Sequence, residues 1–178
     1  THCAEPGFTA WLSRSNNPKR KLAYTWELAQ NTQGDWIGIN THNANKLVAE
    51  ALNNKAIPLF FHITHWKAEV TPPSGEGRLD FQITELVNGE EQHGYIEVKS
   101  VTLAEGADGY FPDAVTQRGA KHCKMLAQLA ESGTPCTLLF CAQHTGIKTI
   151  DVARHIDAKY ADALQEAKAK GVKIVGVG

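Results

Sequence analysis

A chain of 178 residues with 42% hydrophobic and 21% charged side chains has the make-up of an ordinary globular protein, large enough for one substantial domain and a piece of another. Its formal net charge of −1 excludes a broadly basic protein that holds nucleic acid by overall attraction, so any such binding rests on local patches. No apolar run is long enough to span a membrane and no signal peptide is visible. Cys3, Cys123, Cys136 and Cys141 form neither a Cys-x-x-Cys pair nor a zinc-ligand spacing, and the expected setting is reducing and cytoplasmic. With Met125 the single methionine and Thr1 in first place, the expectation is a piece of a longer protein.

Residues 8–14 and 22–30 read as strands joined by the turn-rich Ser15-Asn16-Asn17-Pro18, with Leu22, Tyr24, Trp26 and Leu28 alternating along the second. A short strand follows at 36–40. Residues 42–53 have helical periodicity, with Leu47, Val48, Ala51 and Leu52 as the apolar face. A strand at 66–70 ends at the breaker Pro72-Pro73-Ser74-Gly75. Two strands then flank Asn88-Gly89, a strong short-range hairpin signal. Residues 106–109 read as loop, and Pro112-Asp113 as the start of a helix that runs to Ser132. A buried strand at 137–142, a helix at 157–170 stopped by Gly171, and an apolar strand at 172–177 complete the order. This predicts an α/β fold: a mixed central sheet flanked by helices over residues 35–178, preceded by a small β unit over residues 1–34.

The hairpin carries the chemistry. If Asn88-Gly89 forms a two-residue turn, Val87 faces Glu90, Phe81 faces Ile96 and Asp80 faces Glu97. Alternation groups Leu79, Phe81 and Ile83 on one face and Asp80 and Gln82 on the other. Opposed Cβ atoms lie roughly 5 Å apart, close enough for two carboxylates to share a cation. Without a cation the two would repel, and Lys99 would offset only some of that. The plain alternative is a set of surface charges on the wet face of a half-buried sheet. Glu50, at the edge of the first helix's apolar stripe, is a candidate third carboxylate or an ordinary surface glutamate.

Arg14, Lys19, Arg20 and Lys21, followed by Tyr24 and Trp26, fit either a surface that tracks phosphates and stacks bases or a charged turn beside core aromatics. Gln117, Arg118, Lys121, His122 and Lys124 suit phosphate contact or an ordinary solvated helix face, with Arg118 and His122 four residues apart. His62-x-x-His65 has no metal-helix context, and Gly75-Glu76-Gly77 is no dinucleotide loop.

Several segments together resemble the sugar fermentation stimulation protein A family. They are Thr25-Trp26-Glu27-Leu28, Arg78-Leu79-Asp80-Phe81, the run from Tyr95-Ile96-Glu97-Val98-Lys99 to Leu103, Gly109-Tyr110-Phe111-Pro112-Asp113-Ala114, and Ala153-Arg154-His155-Ile156-Asp157. The resemblance covers essentially the whole chain. It implies an N-terminal OB-like β-barrel, of which residues 1–34 are a remnant, and a PD-(D/E)xK, restriction-endonuclease-like domain at 35–178. It also implies DNA binding and a link to bacterial sugar (maltose) metabolism. Against the family pattern the chain begins inside the barrel and ends before a short tail. Asp80, Glu97 and Lys99 take the signature positions, Glu50 that of the first-helix acid, and Leu79 stands where Pro is usual.

The leading expectation is therefore a DNA-binding protein with a metal-dependent endonuclease-like domain. Asp80, Glu97, Glu50 and the Val98 carbonyl would hold Mg2+ or Mn2+, and Lys99 would orient water. Arg14, Lys19, Arg20, Lys21, Gln117, Arg118 and Lys121 would contact nucleic acid. The alternatives are a non-catalytic DNA-binding regulator of transcription and an interaction module without nucleic acid. A homo-oligomer is compatible with either.

Overall fold

The computed structural model describes residues 3–178; residues 1 and 2 of the expected first unit lie outside the described residues. β1 (Thr9–Arg14), β2 (Tyr24–Gln30) and β3 (Trp36–Gly38) form an antiparallel sheet in that order, bulged between Trp11 and Leu12. β3 pairs with β2, so this sheet continues across residues 34 and 35. The same short strand is bonded to the rest of the molecule. Gly38 N–H donates to Gln143 O at 2.7 Å, Thr145 N–H donates to Trp36 O at 3.0 Å, and Ile37 bridges His144.

The larger unit contains α1 (His42–Asn53), a 3-10 turn at Pro58–Phe60, β4 (His65–Val70), β5 (Leu79–Val87), β6 (Glu90–Val101), β7 (Leu103–Glu105), β8 (Asp108–Phe111), α2 (Gln117–Glu131), β9 (Cys136–Ala142), β10 (Thr149–Val152), α3 (Ala158–Ala169) and β11 (Lys173–Val177). Its central sheet has the order β11-β9-β6-β5-β4, with β4, β5 and β6 antiparallel and β6, β9 and β11 parallel. A smaller sheet has the order β10-β8-β7. The fold is the expected mixed α/β sheet between helical layers. Among the described residues, no helix is long and apolar enough to cross a membrane.

Burial on both faces explains the apolar runs of β6 and β9. Under α1, the side chains of Val48 and Leu52 pack with Phe81, Ile83, Ile96, Val98 and Leu139. Under α2 and α3, the side chains of Leu126, Tyr160 and Leu164 pack with Tyr95, Leu138 and Phe140. Leu79 belongs to this second core, which corrects the expectation that it shares a face with Phe81 and Ile83. Alternation breaks there because Glu69 on the neighbouring strand adopts φ 53 and β5 stops pairing with β6 beyond Phe81. Asn88 (φ 54) and Gly89 (φ 86) make the expected tight turn, since both central residues of such a turn need positive φ.

Three local expectations change. Residues 106 and 107 are the turn that closes the β7–β8 hairpin, with Gly106 at φ 64, and Asp108 and Gly109 already belong to β8. α2 begins at Gln117 rather than at Pro112, because Phe111 is still in a strand and Thr116 is the residue that caps, its Oγ1 accepting from Gly119 N–H at 3.0 Å. β10 was not anticipated; it is a four-residue strand whose pairing with β8 is long-range.

Asp157 joins the starts of the two helices. Its Oδ1 caps α3 by accepting from Tyr160 N–H at 2.9 Å, and its Oδ2 accepts from Thr116 N–H at 2.8 Å. The Thr116 and Tyr160 amides hold its carboxyl below the usual aspartate range. Asp157→Ala is expected to cost about 1–2 kcal/mol in urea unfolding at pH 7. A group whose folded pKa is lowered contributes fully above its unfolded value, about 3.9, and less as pH falls below that. The gap between wild type and Asp157→Ala is expected to narrow from pH 5 downward; a gap constant to pH 3 would contradict this role.

Candidate metal centre

β5 and β6 pair from Val87 opposite Glu90 to Phe81 opposite Ile96, the register expected from the turn, and then separate just before Asp80 and Glu97. Beyond that point the Val98 amide takes a side chain in place of a β5 carbonyl: it donates to Asp80 Oδ2 at 2.7 Å. Asp80 Oδ1 accepts from Asn45 Nδ2 on α1 at 2.8 Å. A strand residue turns its N–H and C=O to the same edge, so the Val98 carbonyl also faces the Asp80 side.

Glu97 and Lys99 share the other face of β6, toward α2. Both are buried, Glu97 at 3% exposure and Lys99 at 9%. Lys99 Nζ donates to Glu97 Oε1 at 2.7 Å. The same oxygen accepts from Nδ1 of His122, a buried residue of α2. Glu97 Oε2 is buried and has no hydrogen-bond partner. A buried carboxylate oxygen left without a donor costs desolvation with no return.

The environment pushes the two carboxyls apart. Burial and the Glu97 charge drive Asp80 above the usual aspartate range, and the Val98 amide and Asn45 only partly offset them. Burial also pushes Glu97 up, but the His122 hydrogen bond and the Lys99 charge outweigh it and hold Glu97 below the usual range. Opposed environments of this kind occur at functional sites and also in buried ion-pair networks. The residues fit a hard divalent cation: Asp80, the bare Oε2 of Glu97 and the Val98 carbonyl offer oxygen, which Mg2+ and Mn2+ prefer, with water completing the shell. Among the described residues no three His, Cys, Asp or Glu side chains converge to hold a metal, so a cation here would rest on two carboxylates.

Glu50 is not brought to this centre. It is exposed on α1, and the α1 residue that meets Asp80 is Asn45, five positions earlier and so about 140° around the helix. Gln117, Arg118 and Lys121 lie exposed on the first turns of α2, whereas His122, expected to keep company with Arg118, turns inward. Arg14, Lys19, Arg20 and Lys21 are exposed on β1 and the β1–β2 connection, with Arg20 donating to Thr25 Oγ1 at 2.8 Å. Asn45 was missed as a site residue, and His122, read as a phosphate contact or part of a solvated helix face, is instead buried against Glu97. The available signal was a polar side chain inside an apolar stripe: Asn45 between Ala44 and Val48, His122 between Gly119 and Cys123.

A carboxyl whose folded pKa is raised favours the folded state below its unfolded pKa and loses that contribution as pH rises through the folded value. Without added metal, wild-type Tm is therefore expected to fall more steeply between pH 4 and pH 8 than that of Asp80→Asn, whose amide does not titrate but leaves one of the two donors on this side chain unmatched at every pH. Tm curves of wild type and Asp80→Asn that run parallel from pH 4 to pH 8 would show that Asp80 is not under electrostatic strain.

Comparison with known proteins places the chain. Residues 42–178 match the family described as sugar fermentation stimulation protein RE domain, and residues 1–39 match the SfsA N-terminal OB domain. A sugar fermentation stimulation protein homolog from Alteromonas mediterranea is 61% identical over 97% of this chain and 73% of that protein. Homologs of the same name from Pseudoalteromonas atlantica and Shewanella frigidimarina are 50% and 47% identical. The solved structure of Pyrococcus furiosus SfsA in complex with Ca2+ is similar with a TM-score of 0.82 and 26% identity, over 94% of this chain and 69% of that one. With both segments matched in order along the whole chain, this protein belongs to the sugar fermentation stimulation protein family.

Proposed function

We propose that this chain is a DNA-binding protein whose larger domain is a metal-dependent phosphodiesterase of the endonuclease type. The observation that carries the reading is the buried, unpartnered Glu97 Oε2 in the neighbourhood of Asp80, in a site where Lys99 is already in place. The Pyrococcus furiosus relative was solved in complex with Ca2+, a hard cation of the same oxygen-seeking kind.

Asp80, Glu97 and the Val98 carbonyl would hold Mg2+ or Mn2+. The ion would lower the pKa of a bound water and polarise the phosphoryl oxygen. Lys99 has three donors, of which Glu97 takes one. Lys99 Nζ also lies 3.4 Å from His122 Nδ1, and a donor not taken by these two neighbours would orient the attacking water and stabilise charge developing on the phosphoryl oxygens. Asn45 and the Val98 amide keep Asp80 from rotating out of place. Gln117, Arg118 and Lys121 lie exposed on the helix that supplies His122, where they suit phosphate oxygens. Arg14, Lys19, Arg20 and Lys21, with half-exposed Tyr24 and Trp11, suit a strand's phosphates and bases, whereas Trp26, expected in that role, packs against Ala29 and Ile37.

A second reading, a regulator of sugar metabolism that holds DNA without cutting it, keeps the same contacts. The observation on its side is that the Lys99 ammonium is held in a buried ion pair with Glu97. Incubation of single-stranded, duplex and branched DNAs with the protein and Mn2+ separates the two. Cleavage that disappears in Asp80→Ala is the expected result. DNA retained on a gel but never cut would leave the regulator. Binding should also weaken steeply with salt, and Lys19→Ala and Arg20→Ala should each lower the slope of log affinity against log salt by about 1. A flat salt response would remove nucleic acid from the reading.

A further inference from the structure

Glu97 has two oxygens in different situations. Oε1 is held by Lys99 and His122, while Oε2 is held by nothing. A glutamate has enough rotatable bonds to exchange its two oxygens, so something must decide which one stays bare. Lys99 alone is a poor choice for that task. It sits two residues along the same strand, at the end of a four-carbon stem, and presents a point charge with no directional preference. His122 differs on both counts. It comes from another element, and its ring is planar with a donor fixed in direction. With Glu97 ionised this contact requires the proton on Nδ1, and Lys99 Nζ, 3.4 Å from the same nitrogen, is then a neighbour of the imidazole and not a donor to it.

The helix that delivers His122 is closely placed. Gly119, one turn earlier, is buried, and a Cβ there would meet Tyr160 Cε2 of α3 at 3.0 Å and Thr116 Cγ2 at 2.7 Å. Thr116 caps the helix, and its amide is bound by Asp157. Cys123 and Leu126, on the same stripe as His122, are fully buried. The stretch of α2 that carries the imidazole is therefore placed by packing that does not involve Glu97.

We infer that His122 is a positioning residue of this centre: by donating from Nδ1 it holds Glu97 Oε1 against Lys99 and leaves Oε2 as the oxygen offered to a divalent cation. The inference rests on the metal reading of Asp80 and Glu97, and a partner of a metal-binding carboxylate acts through that carboxylate without touching the ion.

The test is Mn2+ affinity of the full chain, read by the free-ion signal in electron paramagnetic resonance, with Tm recorded before Mn2+ is added. His122→Leu is expected to weaken binding about 10–100-fold. His122→Asn places an amide nitrogen the same number of bonds from the backbone as Nδ1, and should stay within about threefold of wild type. His122→Gln carries its amide one bond farther out and should resemble His122→Leu, which keeps the comparison available if the leucine variant does not fold. Wild-type affinity in His122→Leu or His122→Gln would overturn the inference. So would equal losses in His122→Asn and His122→Gln, which would mark a structural role. Asp80→Ala tests the metal reading separately: unchanged Mn2+ affinity there would reject the centre itself, whatever the His122 variants do.

Discussion

The buried carboxylate of Glu97 is the constraint around which the larger domain is arranged. An ion taken out of water costs several kcal/mol even after relaxation, and its partners must return most of that. Here the return comes from an ammonium on the same strand and an imidazole on a helix across the core. Neither partner is optional, because a charge left alone in the interior destabilises a protein by about 3–5 kcal/mol. The bare Oε2 is the share of the cost that the protein does not recover on its own. Stability alone does not account for such an arrangement, since an apolar side chain on this face would pack under α2 without any of these demands.

Asp80 shows the same logic in the opposite direction. Its carboxylate sits where the β5–β6 ladder opens and substitutes for a strand carbonyl at the Val98 amide. The position is dictated by backbone hydrogen bonding, and the charge is only partly tolerated there. Of the two carboxyls, Glu97 is held, against burial, below its usual range by His122 and Lys99, and Asp80 is pushed above its range by burial and the Glu97 charge. A cation between them would relieve both conditions at once.

The small sheet is joined to this centre through α1. Glu27 of β2 accepts from Ser13 Oγ at 2.7 Å, Asn40 Nδ2 at 3.1 Å and Asn43 Nδ2 at 3.4 Å, which fixes the start of α1 against β1 and β2. Two residues farther along the same helix, Asn45 meets Asp80. Together with the bonds of β3 to the 143–145 segment, these contacts set the exposed basic residues of the first sheet and the carboxylates of the second unit in one fixed relation.

The hairpin register was legible in the residues themselves, because Asn-Gly selects one turn and strand alternation then leaves one parity that buries Phe81 and Ile96. The helices at 42–53 and 157–170 were legible for the same reason: periodicity is local. Legibility ended where side chains meet across elements. Helical spacing states that Asn45 and Glu50 lie on different sides of α1, but not which side turns to Asp80. It likewise groups His122 with Arg118 four positions before and with Leu126 four positions after, and only the packing of α2 on the sheet decides that it follows Leu126 into the core. Near-neighbour geometry along the chain set the hairpin strands, their turn and the acid-acid-lysine set, while β8 and β10 depend on long-range pairing. Which groups hold those acids, and which oxygen is left bare, was decided by two helices packing on opposite faces of one sheet, contacts separated by 25 to 35 residues that no local pattern encodes.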